Sequence, residues 1–297
     1  MHLVIFGNVN SVCFRLKVAP QNMNSRFAIF ISVLMFVAFC FVLFSETLNA
    51  PSYDDYIATV SFIKRFYFDS SNTWEKINVL ISKHNDHRIV VSRLLASGYY
   101  LLFGRLNFTH LIFIQNVLLL GSFAFLVRLL LGVKVPLYAA LLICATFFFD
   151  LAFYQVSFYY WGGIQYYSVF FFSVLSLYCL NRSVAWNSKS FWVGVVFVIL
   201  AVFSFGNGFL ALFLGGYLLW AKNRYRSLAI WSTLSLALLL LLFINFEPST
   251  GPQSGPFRID WMARLFFTFV GSFIYVNPPE QWLRLANIVV CALLGLG

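Results

Sequence analysis

The sequence predicts an all-α fold: a polytopic transmembrane helical bundle whose first extracytoplasmic loop is itself helical. Three observations carry the prediction of a bundle. The chain is 61% hydrophobic and 10% charged over 297 residues, against roughly 25% charged residues in a typical soluble domain. Its apolar segments have helix length, unlike the ~10-residue alternating strands of a membrane barrel. Its polar residues gather in one region of about sixty residues, directly after the first apolar run.

Taken in order, residues 1–26 form a weakly patterned tail, with Met23 a second candidate start just before the apolar run. Residues 27–44 are apolar throughout, longer than a signal-peptide core and without a small-x-small cleavage site, so they read as a signal anchor and first transmembrane helix. Residues 45–107 form a loop with amphipathic helices. Tyr53, Tyr56, Ile57, Val60, Ile63 and Tyr67 recur at three- and four-residue spacing, marking one helix face. A second helix is expected from Thr73 to about His84, and a third from about Arg88 to Phe103, short for a crossing and so placed in the interface. Residues 108–297 form the transmembrane region, with passes at about Phe108–Leu131, Val135–Phe149, Gln165–Leu180 and Ser227–Phe246. Phe191 to Trp220 is expected to go out and back as two short helices turning at Gly206-Asn207-Gly208. A Pro/Gly-rich loop at Pro248 to Pro256 precedes two weaker passes, near Met262–Val276 and Leu283–Gly297. The chain ends inside apolar sequence, which reads as truncation.

Charge fixes the expected orientation. With the amino terminus cytoplasmic, the short cytoplasmic segments carry Arg15, Lys17, Arg26, Arg128, Lys134, Arg182, Lys189, Lys222, Arg224 and Arg226 and no acid. The net charge of +10 therefore lies on one side. That is the positive-inside pattern, and it requires no nucleic-acid partner. The five cysteines lie in the tail or in apolar passes, away from the polar loop, and form no metal-binding spacing.

The chemistry-bearing residues fall in the loop and in one later aromatic stretch. Asp54 and Asp55 could hold a divalent cation such as Mg or Mn, or take a proton from an acceptor hydroxyl. Ser52-Tyr53-Asp54-Asp55 also fits a capping box, and both readings can hold together. His84-Asn85-Asp86-His87-Arg88 is the densest polar window. If helical, it turns His84 and Arg88 to one side, where they could clamp a phosphate; otherwise it is a solvated turn. Arg93 is either a second phosphate contact or a snorkelling side chain. Tyr160, Trp161 and Gln165 could pack on a sugar ring, or belong to an interfacial aromatic belt. Asn207 reads as a turn residue.

This order of elements resembles the GT-C superfamily of integral-membrane glycosyltransferases over about residues 25–246. Those enzymes follow a signal anchor with a large extracytoplasmic loop that carries one or two early acids, the position of Asp54 and Asp55. The run from His87-Arg88 through Arg93 to Leu102-Phe103-Gly104 is similar to the basic segment and Leu-Phe-Gly helix end of mannosyl and aminoarabinose transferases, without their paired prolines. That absence points to a divergent bacterial branch. The resemblance implies inverting sugar transfer from a polyprenyl-phosphate-linked donor to a glycan, lipid or protein acceptor. Asp54 or Asp55 would be the base, and Arg88 with His84 or His87 would steady the departing phosphate. The remaining polar candidates, Asp86, Arg93, Tyr160, Trp161 and Gln165, would contact substrate. A lipid transporter or flippase would need ionisable groups near the bilayer midplane, and the apolar passes hold almost none. An oligosaccharide polymerase or ligase, or a noncatalytic assembly protein of the cell envelope, completes the alternatives.

Overall fold

The structure is a computed structural model that describes residues 25–85 and 87–243, together with 259, 260, 262, 289, 290 and 293. The tail before Ser25, Asp86, the loop from Pro248 to Pro256 and most of the two weak carboxy-terminal passes lie outside the described residues. The chain divides into two units, Met1–Phe246 and Glu247–Gly297. The six described residues of the second are helical.

In the first unit, α1 (Ser25–Glu46) is apolar on every face, as a helix surrounded by lipid should be. A helical stretch then runs through π-helix at Tyr56–Val60, α2 (Ser61–Lys64) and π-helix at Arg65–Asp69. Next comes α3 (Thr73–Ile81), started by Asn72, whose side chain accepts the Glu75 N–H at 2.9 Å. Glu75 reaches back to the Ser71 N–H at 2.7 Å, so the helix start holds itself in place.

The sequence reading continued this helix to His84, and the structure departs from that. Ser82 is extended (φ −57°, ψ 151°) and Asn85 is left-handed at φ 52°, a conformation Asn tolerates and a helix does not. The segment forms a small antiparallel hairpin, β1 (Lys83–His84) with β2 (His87–Arg88), pairing Lys83 with Arg88 and His84 with His87. Partners across an antiparallel ladder share a face, so His84 sits beside His87 and not beside Arg88.

Helix α4 (Val90–Phe103) ends at Gly104, whose φ of 66° closes the last turn as glycine readily does. Asn107 caps α5 (Phe108–Gly132), accepting the His110 N–H at 3.1 Å. The chain continues through α6 (Leu137–Phe148), α7 (Tyr154–Ser157), α8 (Tyr160–Arg182), α9 (Lys189–Val202), α10 (Leu210–Ala221) and α11 (Tyr225–Phe243). Among the described residues, five segments are long and apolar enough to cross a membrane: 25–46, 108–132, 137–157, 160–182 and 225–242. They mark an integral membrane protein. Helices α9 and α10 have 14 and 12 residues and are joined by the turn at Gly206–Phe209, where Asn207 is exposed. At about 1.5 Å per residue each falls short of a ~30 Å hydrocarbon core.

Helix α8 is the axis of the unit. It packs against α4, α5, α7, α9 and α10, while α1 lies on α6. One apolar core joins α1, α4, α5, α6 and the start of α8 around Phe39, Leu111 and Ile164. A second joins the end of α8 to α9, α10 and α11 around Leu180, Phe191 and Trp231. The amino-terminal end of α8 is therefore where the polar loop meets the bundle.

Candidate functional site

The acids lie on a tight turn that begins just beyond α1. Tyr53 takes a left-handed φ of 40°, and the Asp55 N–H closes the turn on the Ser52 carbonyl at 2.8 Å. The Asp55 carboxylate accepts the Ser52 N–H at 3.2 Å through Oδ2, completing one half of the capping box. Its other oxygen, Oδ1, accepts the Trp161 N–H at 3.1 Å. Trp161 lies in the first turn of α8, where backbone N–H groups lack helical partners and favour a negative neighbour. Asp55 thus caps a long helix that begins more than a hundred residues later.

That position isolates Asp55 from water, with 1% of its surface exposed. Burial pushes its carboxyl up to about 7, and the Asp54 charge adds to this. The N–H groups of Ser52 and Trp161 and the Thr59 hydroxyl act in the opposite direction without overcoming it. Asp54 is half-buried, and its own N–H donates to the Tyr159 hydroxyl at 2.7 Å. Burial, followed by the Asp55 charge, holds the Tyr159 phenol above its ordinary range.

A string of rings leads from the acids to the hairpin. Tyr53 meets Tyr159 edge-on at 5.7 Å, Tyr159 lies 6.1 Å from Trp161, and Trp161 meets His84 edge-on at 5.2 Å. Burial draws the His84 imidazole below its usual range, assisted by Arg93 and His87, while Asp54 pulls it back. Three buried nitrogens at this end have no hydrogen-bond partner among the described residues: His84 Nε2, Trp161 Nε1 and Gln165 Nε2. Trp161 and Gln165 stand four apart on α8 and so share a face. Orphaned donors in a buried setting are costly, so such groups are normally matched by solvent or ligand.

The other candidates are placed differently. The Tyr160 hydroxyl donates to the Ser92 carbonyl at 2.9 Å and its ring is wholly buried, tying α8 to α4. Arg93 donates from Nη1 to the carbonyls of Val79 and Leu80, both at 3.0 Å, and to Ser82. Burial lowers this guanidinium to about 10. Arg88 donates from Nη1 to the Ile81 carbonyl at 2.6 Å. Both arginines therefore engage the carboxy-terminal carbonyls of α3, groups that need donors and favour positive charge. His87 turns toward the bundle: its ring lies 4.3 Å from Phe205, and a Cβ on Gly206 would come within 2.5 Å of it. Asp86 lies outside the described residues.

Two buried amide side chains of α5, Gln115 and Asn116, shape the site from beneath. Gln115 donates to the carbonyls of Val156, Ser157 and Tyr159, at 3.3, 3.1 and 3.2 Å. Asn116 donates to Ser157 at 2.9 Å. A Cβ on Gly163 would fall 2.1 Å from Gln115 Nε2, so glycine is what admits the amide. The adjacent Gln-Asn pair inside an apolar pass is the signal that could have found them.

A cavity of about 80 Å³ beside Asp55 is walled by Ser52, Ile112, Phe158, Tyr159 and Tyr160. It has room for a few waters at roughly 30 Å³ each. Among the described residues no three His, Cys, Asp or Glu side chains converge as a metal-binding group. Both Asp55 oxygens already accept N–H groups, an arrangement that suits a proton or a helix dipole better than a cation. A cation here would rest on Asp54 and take its other oxygens from water or substrate. Comparison of the chain with protein-family models, with curated proteins and with solved structures gives no match.

Proposed function

We propose that this chain is a membrane glycosyltransferase that uses a polyprenyl-phosphate-linked sugar, in the manner of the GT-C superfamily that its order of elements resembles. The observation that carries the reading is Asp55: a carboxylate outside the membrane-spanning segments, buried, and raised to about 7. A general base works best when its pKa lies near the ambient pH, and a carboxylate reaches that range only through such burial. The acceptor hydroxyl oxygen attacks the anomeric carbon while the bond from that carbon to the phosphate oxygen breaks. The hydroxyl proton passes to Asp55, and the lipid phosphate leaves with the bonding pair. The configuration at the anomeric carbon inverts.

Tyr159 positions the Asp54 backbone, and Trp161, four residues before Gln165, holds Asp55 from the α8 side. His84, with His87 and Arg88 of the hairpin, would meet the charge that develops on the phosphate. A divalent cation on Asp54 remains a component that activity measurements with and without a chelator can detect. The charge pattern supports a cytoplasmic amino terminus, and the resemblance implies a bacterial inner membrane. Against transport, the buried polar pair Gln115 and Asn116 donates to loop carbonyls and does not line a path.

Purified protein reconstituted in liposomes with a panel of polyprenyl-phosphate hexoses and pentoses tests the proposal. Wild type is expected to transfer sugar, and Asp55→Asn to lose at least a hundredfold in turnover at unchanged protein level. Equal turnover in the two removes Asp55 from the reaction.

A further inference from the structure

A second recess in the loop lies away from the acids. A groove of about 490 Å³ opens between the Arg65–Asp69 turn and α3, faced by Arg65, Asp69, Glu75 and Asn78 and floored by Val79 and Ser82. Small-molecule sites commonly fall between roughly 300 and 1,000 Å³. The groove has two kinds of lining residue, and they are treated differently.

Those that build it are fixed. Arg93 donates to the Val79 carbonyl and to the Ser82 hydroxyl, both at 3.0 Å, and the Ser82 hydroxyl donates to the Val79 carbonyl at 2.8 Å. Glu75 accepts the Ser71 N–H at 2.7 Å and the Asn72 amide at 2.9 Å. Three exposed lining side chains, the Arg65 guanidinium, the Asp69 carboxylate and the Asn78 amide, have no hydrogen-bond or ion-pair partner among the described residues. Exposed polar groups beside a fixed floor can exchange water for the hydroxyl groups of a ligand.

We infer that this groove is a subsite for an uncharged saccharide, the acceptor glycan if the chain is the transferase proposed above. The lining offers donors on Arg65 and Asn78 and acceptors on Asp69 and Asn78, so its occupant must both accept and donate. Hydroxyl groups do both. One positive and two negative side chains face the groove, which disfavours a phosphate or other anion. The floor residue Ser82 stands two positions before His84, which meets Trp161 beside the acids.

The test uses the full chain in phosphatidylcholine nanodiscs. Saturation-transfer NMR with a panel of neutral hexose disaccharides is expected to show binding that Arg65→Ala and the double variant Asp69→Ala/Asn78→Ala each weaken at least fivefold. Asp55→Asn should bind as wild type does. In transfer assays the double variant should raise the acceptor KM at least fivefold with kcat within twofold. No binding by wild type to any disaccharide, unchanged binding in both groove variants, or binding of inorganic phosphate in preference to sugar would each overturn the subsite. The transferase reading fails separately. Wild type that binds saccharide through the groove but turns over no lipid-linked donor keeps the subsite and loses the reaction. Loss of turnover in Asp55→Asn with an unchanged acceptor KM in the groove variants does the reverse.

Discussion

Asp55 and Arg93 are both charged and both 5% exposed or less, and both sit in the loop between α1 and α5, yet their surroundings differ in kind. Arg93 lies against the open end of α3, where three backbone carbonyls and one hydroxyl accept from a single guanidinium nitrogen. Its guanidinium carbon lies 5.4 Å from the Phe62 ring centroid, and its Nε is buried without a partner among the described residues. Asp55 also caps a helix, but two N–H bonds do not offset its burial, and its carboxyl rises to about 7. Burial disfavours the charged form of both, but the arginine, lowered to about 10, keeps its proton near neutral pH, whereas the aspartate is brought to where it exchanges one. Under-compensation costs stability, and it is the property that a proton-transfer group requires.

The contrast can be tested by substitution, beginning with the largest effect. Asp55→Asn keeps an acceptor for α8 and removes the base, so transfer should fall about a thousandfold, or ~4 kcal/mol of barrier, with the helix intact by circular dichroism. Arg93→Ala should act on the fold instead, lowering stability by about 3 kcal/mol because charge-assisted hydrogen bonds to buried carbonyls are lost. Arg93→Lys should recover less than half of this, since an ammonium cannot span the same carbonyls. Chemical denaturation in detergent measures both. If Arg93→Ala instead abolished transfer without loss of stability, the two regions would exchange roles.

A third measurement uses pH. Asp55 is raised from 3.8 to about 7, so the fold holds a proton that the unfolded chain releases across that range. The stability this contributes is full below pH 3.8 and is lost as pH rises through about 7. The melting temperature should therefore fall between about pH 5 and pH 8 in wild type, and less in Asp55→Asn, at up to roughly 1.4 kcal/mol per pH unit. Activity should move the opposite way, rising toward pH 7 as the base deprotonates. Smallest of all, Asn207→Ala should change stability by less than about 0.5 kcal/mol and leave transfer unchanged, because the side chain is exposed on a turn. A large loss there would move the site toward the α9–α10 turn.

Legibility followed the range of the interaction. The first apolar run appears as α1, and the break at Gly206-Asn207-Gly208 appears as the turn between α9 and α10, because hydropathy and glycine act locally. The capping box at Ser52 to Asp55 is likewise readable, being four residues wide. The second bond of the same carboxylate, to Trp161, spans 106 residues and left no local trace. The hairpin at Lys83 to Arg88 was read as the end of one helix and the start of the next. Its polar residues are compatible with either form, and α3 ends earlier because Arg88 and Arg93 take its carbonyls from outside. The amides Gln115 and Asn116 are polar residues in an apolar pass whose partners lie in a loop some forty residues away, so only the fold gives their purpose.

By itself the sequence determined the solvent of this protein and the place of its acids: apolar runs of helix length commit the chain to a bilayer, and most of the acidic residues fall in one loop. The tertiary structure decided which polar groups are already engaged. Hydropathy is a property of each residue and adds along the chain, whereas hydrogen-bond partners come from contacts across it. Only the packed fold could show that the arginines close α3 and that the aspartate at the start of α8 is buried without full compensation.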